Sequence, residues 1–181
     1  FAYGDFRRHP VADTLWLGRL GVRGGATLHV DDSPARLRLL LADALSGSAV
    51  TTVLDTLSDL FPADLRLLLQ ELLARAGEPL RPEDAARLYF RHPKTLRDRL
   101  RRCGLPSPEK LILWARLFLA AHLLQDAERS VADVALCLGF PSPNALRNHF
   151  QRYAGVRPGD LRDGDGLARV LRLFRLKHAP G

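Results

Sequence analysis

The sequence has few of the residues on which redox, metal and covalent chemistry depend. Its two cysteines, Cys103 and Cys137, lie within helical patterns and without paired spacing. This is typical of small core residues in a reducing compartment, so we expect a cytoplasmic protein without a disulfide or a zinc site. The six histidines show no ligand spacing, and no serine or cysteine has the flanking residues of a nucleophile. A glycine-rich phosphate loop is also absent. These absences argue against an enzyme, a metal and a bound cofactor.

A long hydrophobic run is missing as well. The longest apolar stretch, residues 111–124, is interrupted by Arg116 and His122 and is shorter than the roughly 18 residues of a membrane span. No signal peptide is recognisable. We therefore expect no membrane partner. The chain begins at Phe1 without a methionine, as a fragment of a longer protein would.

Acidic residues are scarce relative to basic ones, and the imbalance is local. The net charge is +7. Residues 1–60 hold 6 Arg and 7 Asp, whereas residues 61–181 hold 21 Lys and Arg against 13 Asp and Glu. The basic excess therefore lies in the second part of the chain, as a polyanionic partner would require.

Residues 130–162 carry the most specific local pattern, a helix, a tight turn and a second helix. Ser130 is a natural N-cap with Asp133 three residues on, a variant of the capping box. Gly139 supplies the positive φ that ends the first helix, and Phe140 is expected to fill the corner. The apolar face of that first helix is formed by Val131, Val134, Ala135 and Leu138.

The second helix of this pattern starts at once and has a polar outward side. Ser142 is the expected cap and Pro143 the first helical residue, while Leu146 and Phe150 face inward. The other faces carry only amides and guanidinium groups, from Asn144, Arg147, Asn148, Gln151 and Arg152. A short helix of this kind suits the major groove of DNA.

An internal repeat supports this interpretation. Eight residues recur 50 positions earlier in the same roles: Ala85, Leu88, Phe90, Pro93, Leu96, Arg97, Leu100 and Arg102. Eight matches at one offset indicate a duplicated helix-turn-helix unit. Between the copies, Ser107 and Pro108 open a helix that should run to about Gln125 and is apolar nearly all round, so we expect it to be buried. At ~1.5 Å per residue its 18 residues span ~27 Å, and successive major grooves of DNA lie ~34 Å apart. A buried helix of this length could hold two recognition helices in adjacent grooves.

The first 60 residues are less informative. The order of elements over residues 1–45 is β-α-β-α, which resembles the last half of a bacterial response-regulator receiver domain. We expect either a truncated receiver-like element or a small α/β dimerisation element. A helix over residues 50–60 follows, and Pro62 starts another.

Together the two units and the central helix resemble the DNA-binding domain of the AraC/XylS-type transcription regulators, over about residues 61–162. The closest part of the match comprises Ala135, Leu138, Gly139, Phe140, Leu146, Phe150, Gly155, Pro158, Leu161 and Arg162. The looser part comprises Ala85, Ala86, Pro93, Leu96, Leu100, Gly104, Arg116, Leu117, Ala120, Leu123 and Leu124. The resemblance implies a mainly α fold, a seven-helix domain of two helix-turn-helix units joined by a long central helix.

The resemblance also implies a function and site residues. It implies a bacterial regulator of transcription that reads two adjacent major grooves of double-stranded DNA, with RNA polymerase and a second copy of the chain as candidate further partners. Carried over by position, the base-reading residues are Lys94, Arg97, Asp98, Asn144, Arg147 and Asn148. Phosphate contacts are expected from Thr95, Arg101, Arg102, Ser142, Gln151 and Arg152. Helix geometry independently turns Lys94, Asp98, Asn144 and Asn148 away from the inward side chains.

Two departures leave an alternative open. Tyr89 stands where the second unit has Gly139, so the first turn is expected to be built differently. Asp98 would repel phosphates; it either accepts a hydrogen bond from a cytosine amino group or, as we favour, pairs with Lys94 or Arg101 on its own helix. The second unit would then carry more of the specificity. The alternative function is a helical protein-interaction module with weak or non-specific DNA binding.

The chain ends in a basic amphipathic helix within residues 163–181, beyond the usual end of the family's domain. Its leucine face is expected to dock on the protein itself or on a second copy, and a phosphate-contacting tail is the third option. We therefore predict three parts: an N-terminal segment of residues 1–60, the DNA-binding domain of residues 61–162, and this tail helix.

Overall fold

The computed structural model describes residues 49–178, and within that range the chain is helical, without a strand. Its eight α-helices are α1 (Ala49–Thr56), α2 (Ala63–Ala74), α3 (Pro82–Leu88), α4 (Pro93–Arg102), α5 (Pro108–Leu123), α6 (Val131–Cys137), α7 (Pro143–His149) and α8 (Gly166–His178). A π-helical turn (Phe150–Ala154) continues α7, and a 3-10 helix (Pro158–Leu161) follows. The mainly α fold with two helix-turn-helix units, α3–α4 and α6–α7, is confirmed. The predicted α/β segment of residues 1–45 lies outside the described residues, and the domain boundaries stay predictions.

Helix α5 is the centre of the core. It contacts α1, α2, α3, α4, α6 and α8, and eleven of its sixteen residues are buried. The all-round apolar sequence of this helix predicted such burial, because no face can be left in water. The helix ends at Leu123, two residues earlier than expected, and its sixteen residues span ~24 Å. The first unit precedes its N-terminus and the second follows its C-terminus.

The caps predicted for the second unit are confirmed. The hydroxyl of Ser130 accepts a hydrogen bond from the backbone N–H of Asp133 at 3.1 Å, and the Asp133 carboxylate accepts one from the Ser130 N–H at 3.2 Å. The hydroxyl of Ser142 accepts from the N–H of Ala145 at 3.1 Å. Ser107 differs, because its side chain makes no cap hydrogen bond to α5 and instead hydrogen-bonds the Glu109 carboxylate.

The tail helix α8 is part of the core of this domain. Leu167, Val170, Leu171 and Phe174 are buried, and Phe174 is 0% exposed. Its ring centroid lies 5.1 Å from that of Trp114, 5.4 Å from that of Phe118 and 6.2 Å from that of Phe61. The prediction that the leucine face docks on the protein itself is therefore confirmed.

Candidate nucleic-acid interface

The turns of the two helix-turn-helix units share one pattern of backbone hydrogen bonds. The N–H of Phe90 donates to the carbonyl of Arg87 at 2.9 Å, and that of Gly139 donates to the carbonyl of Leu136 at 3.2 Å. The N–H groups of Arg91 and Phe140 bond in the same corresponding way to Ala86 and Ala135. These pairs are 49 residues apart rather than 50.

The single offset of 50 residues is therefore wrong for α3 and its turn, while it is right for the recognition helices. There Pro93 corresponds to Pro143, and each is the first residue of its helix. Leu96 and Leu100 correspond to Leu146 and Phe150, and all four are 0% exposed. The reason is one additional residue, Pro141, between the turn and the helix of the second unit. The duplication itself stands.

The shorter first turn has a physical consequence at Phe90. This residue has φ of +54°, in the left-handed region where the second unit places Gly139, at φ of +68°. Phe90 is consequently 85% exposed, whereas Phe140 is 7% exposed and fills the corner of the second unit as predicted. The expected difference between the turns is thus present, but the strained residue is Phe90 and not Tyr89. A phenylalanine in this conformation is unfavourable, because its Cβ approaches the backbone.

Helix α4 presents a basic outward face. Of the predicted side chains, those of Lys94, Thr95, Arg97, Arg101 and Arg102 are exposed. Asp98 is half-buried, and its carboxylate lies 3.1 Å from the guanidinium of Arg101, as the favoured interpretation of this residue requires. Arg97 also has a partner, because its guanidinium lies 3.6 Å from the carboxylate of Glu109 at the start of α5.

Helix α7 presents a face without acidic groups. Asn144, Arg147 and Asn148 are exposed; Asn144 and Asn148 lie opposite the buried Leu146, and Arg147 flanks their face. A guanidinium N–H of Arg147 donates to the side-chain oxygen of Asn144 at 2.8 Å, so two predicted base-reading residues are already paired. The hydroxyl of Ser142, which is predicted to contact a phosphate, caps α7 in the structure.

The π-helical turn changes the end of the second recognition helix. It adds one residue, so Gly155 corresponds to Gly104 at an offset of 51, and both have φ of +68°. Arg152 and Gln151 are exposed, and the Arg152 guanidinium carbon lies 5.7 Å from the centre of the Tyr153 ring.

A polar cluster behind α4 was missed by the sequence-based prediction. The Asp64 carboxylate accepts two hydrogen bonds from Arg99, at 3.0 and 3.1 Å, and one from the hydroxyl of Tyr89 at 2.5 Å. These bonds, with Arg99 contributing most, lower the pKa of Asp64 to about 2. The cluster joins α2, the first turn and α4. The available signal was that Arg99 shares the inward face with Leu96, three residues earlier.

Two further groups that support the units were also missed. Arg116 donates to the carbonyl oxygens of Ala76 and Glu78, at 3.1 and 2.6 Å, and so attaches α5 to the segment before α3. An arginine in the apolar middle of a buried helix was the signal for such a buried partner. In the second unit, His149 packs between Phe140 and Tyr153, and burial lowers the pKa of its imidazole.

The arrangement suits binding of an anion more than catalysis. Helix α4 carries five basic residues and one acidic residue, while α7 and its π-helical turn carry two arginines and no carboxylate. Among residues 49–178, no group of three or more His, Cys, Asp or Glu side chains is placed to hold a metal ion. Over the same residues, no helix is long and apolar enough to cross a membrane.

Comparison with known proteins agrees with this geometry. Residues 85–164 match the family described as helix-turn-helix domain. The chain is also similar to proteins named HTH-type transcriptional activator RhaS from Escherichia coli O1:K1 / APEC, from E. coli O45:K1 (strain S88 / ExPEC) and from E. coli O9:H4 (strain HS). Each is 28% identical over 140 residues, which cover 77% of this chain and 40% of the relative. No solved structure matches.

The region 85–164 contains the second unit, the central helix, the first unit except the start of α3, and all twelve predicted site residues. The chain spans only 40% of the length of these relatives. These relatives are named as transcriptional activators. Residues 85–164 thus match a helix-turn-helix domain, and the similarity to proteins named as transcriptional activators supports the resemblance to AraC/XylS-type transcription regulators.

Proposed function

We propose that the chain binds double-stranded DNA sequence-specifically, with α4 and α7 in two adjacent major grooves, and that it regulates transcription in this way. One observation carries the proposal: α4 and α7 hold equivalent positions in two copies of one unit, and both copies are built on α5. A repeated recognition helix on a common scaffold suits a ligand that itself repeats, as the grooves of a duplex do every ~34 Å.

Within this proposal the two helices have unequal roles. Asn144, Arg147 and Asn148 are exposed, and no carboxylate of residues 49–178 forms an ion pair with Arg147, so these side chains can turn to base edges at little electrostatic cost. In α4, Arg97 and Arg101 would first have to leave Glu109 and Asp98. We therefore assign more of the base reading to α7, and more of the phosphate binding to α4.

The phosphate contacts would come from the residues predicted for them, with backbone N–H groups at the helix starts as additional donors. Such contacts supply affinity without sequence choice. They weaken steeply with added salt because the release of counterions from DNA gains less entropy when the solution already contains more of them. Control of transcription follows by similarity to relatives that are named transcriptional activators. RNA polymerase and a second copy of the chain remain proposed partners.

The test is selection of bound sequences from a random duplex library, followed by one substitution. We expect a bipartite sequence whose halves lie about one helical turn, ~34 Å, apart. Arg147→Ala should weaken binding to the selected duplex by about 1–3 kcal/mol, the value of a bidentate base contact, and relax the preference at one position. Arg66→Ala is the matched control, because it removes the same charge from an exposed position on α2. Recovery of no enriched sequence at low salt would contradict the proposal.

A second function has one observation in its favour. Phe90 and Leu67 are 85% and 66% exposed, and with Leu88 they line a groove between α2 and the first turn. An exposed apolar surface of this kind favours the alternative, a protein-interaction module. Duplex binding without any sequence preference in the same selection would favour it over the first proposal.

A further inference from the structure

The tail helix α8 contacts both helix-turn-helix units near the C-terminal ends of their recognition helices. The Lys177 ammonium donates to the carbonyl of Tyr153, in the π-helical turn that ends the second recognition helix. Nδ1 of the next residue, His178, lies 3.2 Å from the carbonyl oxygen of Gly104, just after the end of the first recognition helix. Two consecutive side chains of α8 thus hold the C-terminal ends of both recognition helices.

Helix α8 is itself firmly held. Phe174 is fully buried against aromatic residues of α5, as described above. Arg175 lies two residues before Lys177 on the same helix. It donates two hydrogen bonds of 2.6 Å to the carboxylate of Asp59, which lies just after α1. A helix anchored on two sides can transmit position, whereas a loosely attached tail could not.

The second recognition helix needs such a support. Helix α7 packs on α6 and on its own π-helical turn, and that turn packs on α8. Trp114 of α5 lies where the π-helical turn meets α8. The centroid of its ring is 6.3 Å from that of Tyr153 in the turn and 5.1 Å from that of Phe174 in α8. The position of α7 relative to α5 therefore depends on α8 as well as on α6.

We propose that α8, through Lys177 and His178, fixes the distance and orientation between α4 and α7 and so determines which half-site spacing on DNA the chain accepts. The inference rests on the proposed function, and it assigns a positioning role to residues outside the matched region 85–164. If α4 and α7 are already held in the geometry of the DNA complex, binding does not have to order them. A flexibly linked pair of helices would lose conformational entropy on binding.

The experiment measures affinity for duplexes that carry the two selected halves at the best spacing, and with one base pair more or fewer. It compares the full chain with the double variant Lys177→Gln and His178→Ala. We expect the double variant to bind the best spacing about tenfold more weakly, the size expected for two net protein hydrogen bonds. Its ratio of affinities between the best and the altered spacings should fall, while its affinity for a duplex with one half-site should not change.

Arg172→Gln is the control, since it removes one positive charge from α8 where the partner is Asp165, outside both recognition helices. It should keep the wild-type spacing preference, and circular dichroism should show all the variants folded. An unchanged spacing preference in the double variant, or an equal loss at every spacing and at the single half-site, would overturn the inference. So would a wild-type chain that binds its sequence without a spacing preference. Failure of the wild type to select any sequence would instead refute the proposed function.

Discussion

The tail helix should contribute a large share of the stability of the domain, and Phe174→Ala tests this. The Phe174 side chain is 0% exposed, and its ring lies within 4.6 to 6.2 Å, between ring centroids, of four other rings. Truncating a buried phenylalanine to alanine costs about 3–5 kcal/mol, because it removes buried apolar area and leaves a cavity. The aromatic neighbours favour the upper half of that range, so we expect a loss of about 4 kcal/mol.

A loss of this size is easily measured. Domains of this kind unfold with a free energy of about 5–15 kcal/mol, so the variant should remain folded but much weakened. With a urea dependence of about 2 kcal/mol per molar, the midpoint should fall by about 2 M. The assay is urea unfolding followed by far-ultraviolet circular dichroism at 222 nm, which reports the helices.

The control for this prediction is Leu176→Ala. Leu176 lies on the same helix and is 81% exposed, so its truncation should change the free energy of unfolding by less than about 0.5 kcal/mol. A Phe174→Ala variant within about 1 kcal/mol of the wild type would refute the reasoning. It would show that α8 is not part of the cooperative core.

Two further predictions concern the polar groups. Asp64→Asn should lower the free energy of unfolding, because it removes the ion pair with Arg99. The loss should be only about 1 kcal/mol, since both side chains are partly exposed. Glu71→Gln is the control from a surface ion pair with Arg75, and it should lower the free energy of unfolding by a few tenths of a kcal/mol in the same urea assay. Acidification should also destabilise the domain. Burial lowers the pKa of His149 in the folded state below its ordinary value of 6.5, so the unfolded chain binds the proton more readily. The free energy of unfolding should therefore fall as the pH drops through 6.5. His149→Phe should flatten that slope between pH 7 and 5, and an unchanged slope would contradict the assignment.

The sequence predicted well those features that depend on neighbouring residues. The capping box of Ser130 with Asp133, the cap at Ser142 and the positive φ of Gly139 are all confirmed. Each depends on contacts within three or four positions, where residue type largely decides the conformation. The inward placement of Leu146 and Phe150 follows in the same way from helical periodicity.

The sequence did not predict features set by insertions of one residue. Aligning the copies by residue type paired Phe90 with Phe140, because both are aromatic. The backbone hydrogen bonds instead pair Phe90 with Gly139. No propensity rule assigns a positive φ to phenylalanine, since the shorter turn imposes it. The π-helical turn in the second unit is a tertiary feature of the same kind.

Contacts between distant parts of the chain were also beyond the sequence. Asp64 and Arg99 are 35 residues apart, and Lys177 is 24 residues from Tyr153. Such pairs become neighbours only after α2, α4 and α8 have packed on α5. The amphipathic sequence of the tail predicted that it would dock, but it could not specify the two carbonyl groups on which its last residues rest.

Hydroxyl-radical footprinting on the selected duplex is the most direct test of the claim that two linked helices read one stretch of DNA. Hydroxyl radicals cleave the DNA backbone at every sugar that the protein leaves accessible. The positions without cleavage therefore report where each helix-turn-helix unit is bound. Two protected windows are expected on one face of the duplex, centred about 10 base pairs apart. Arg147→Ala should weaken only one of them. A single protected window, or uniform protection along the duplex, would show that α4 and α7 do not occupy two adjacent grooves.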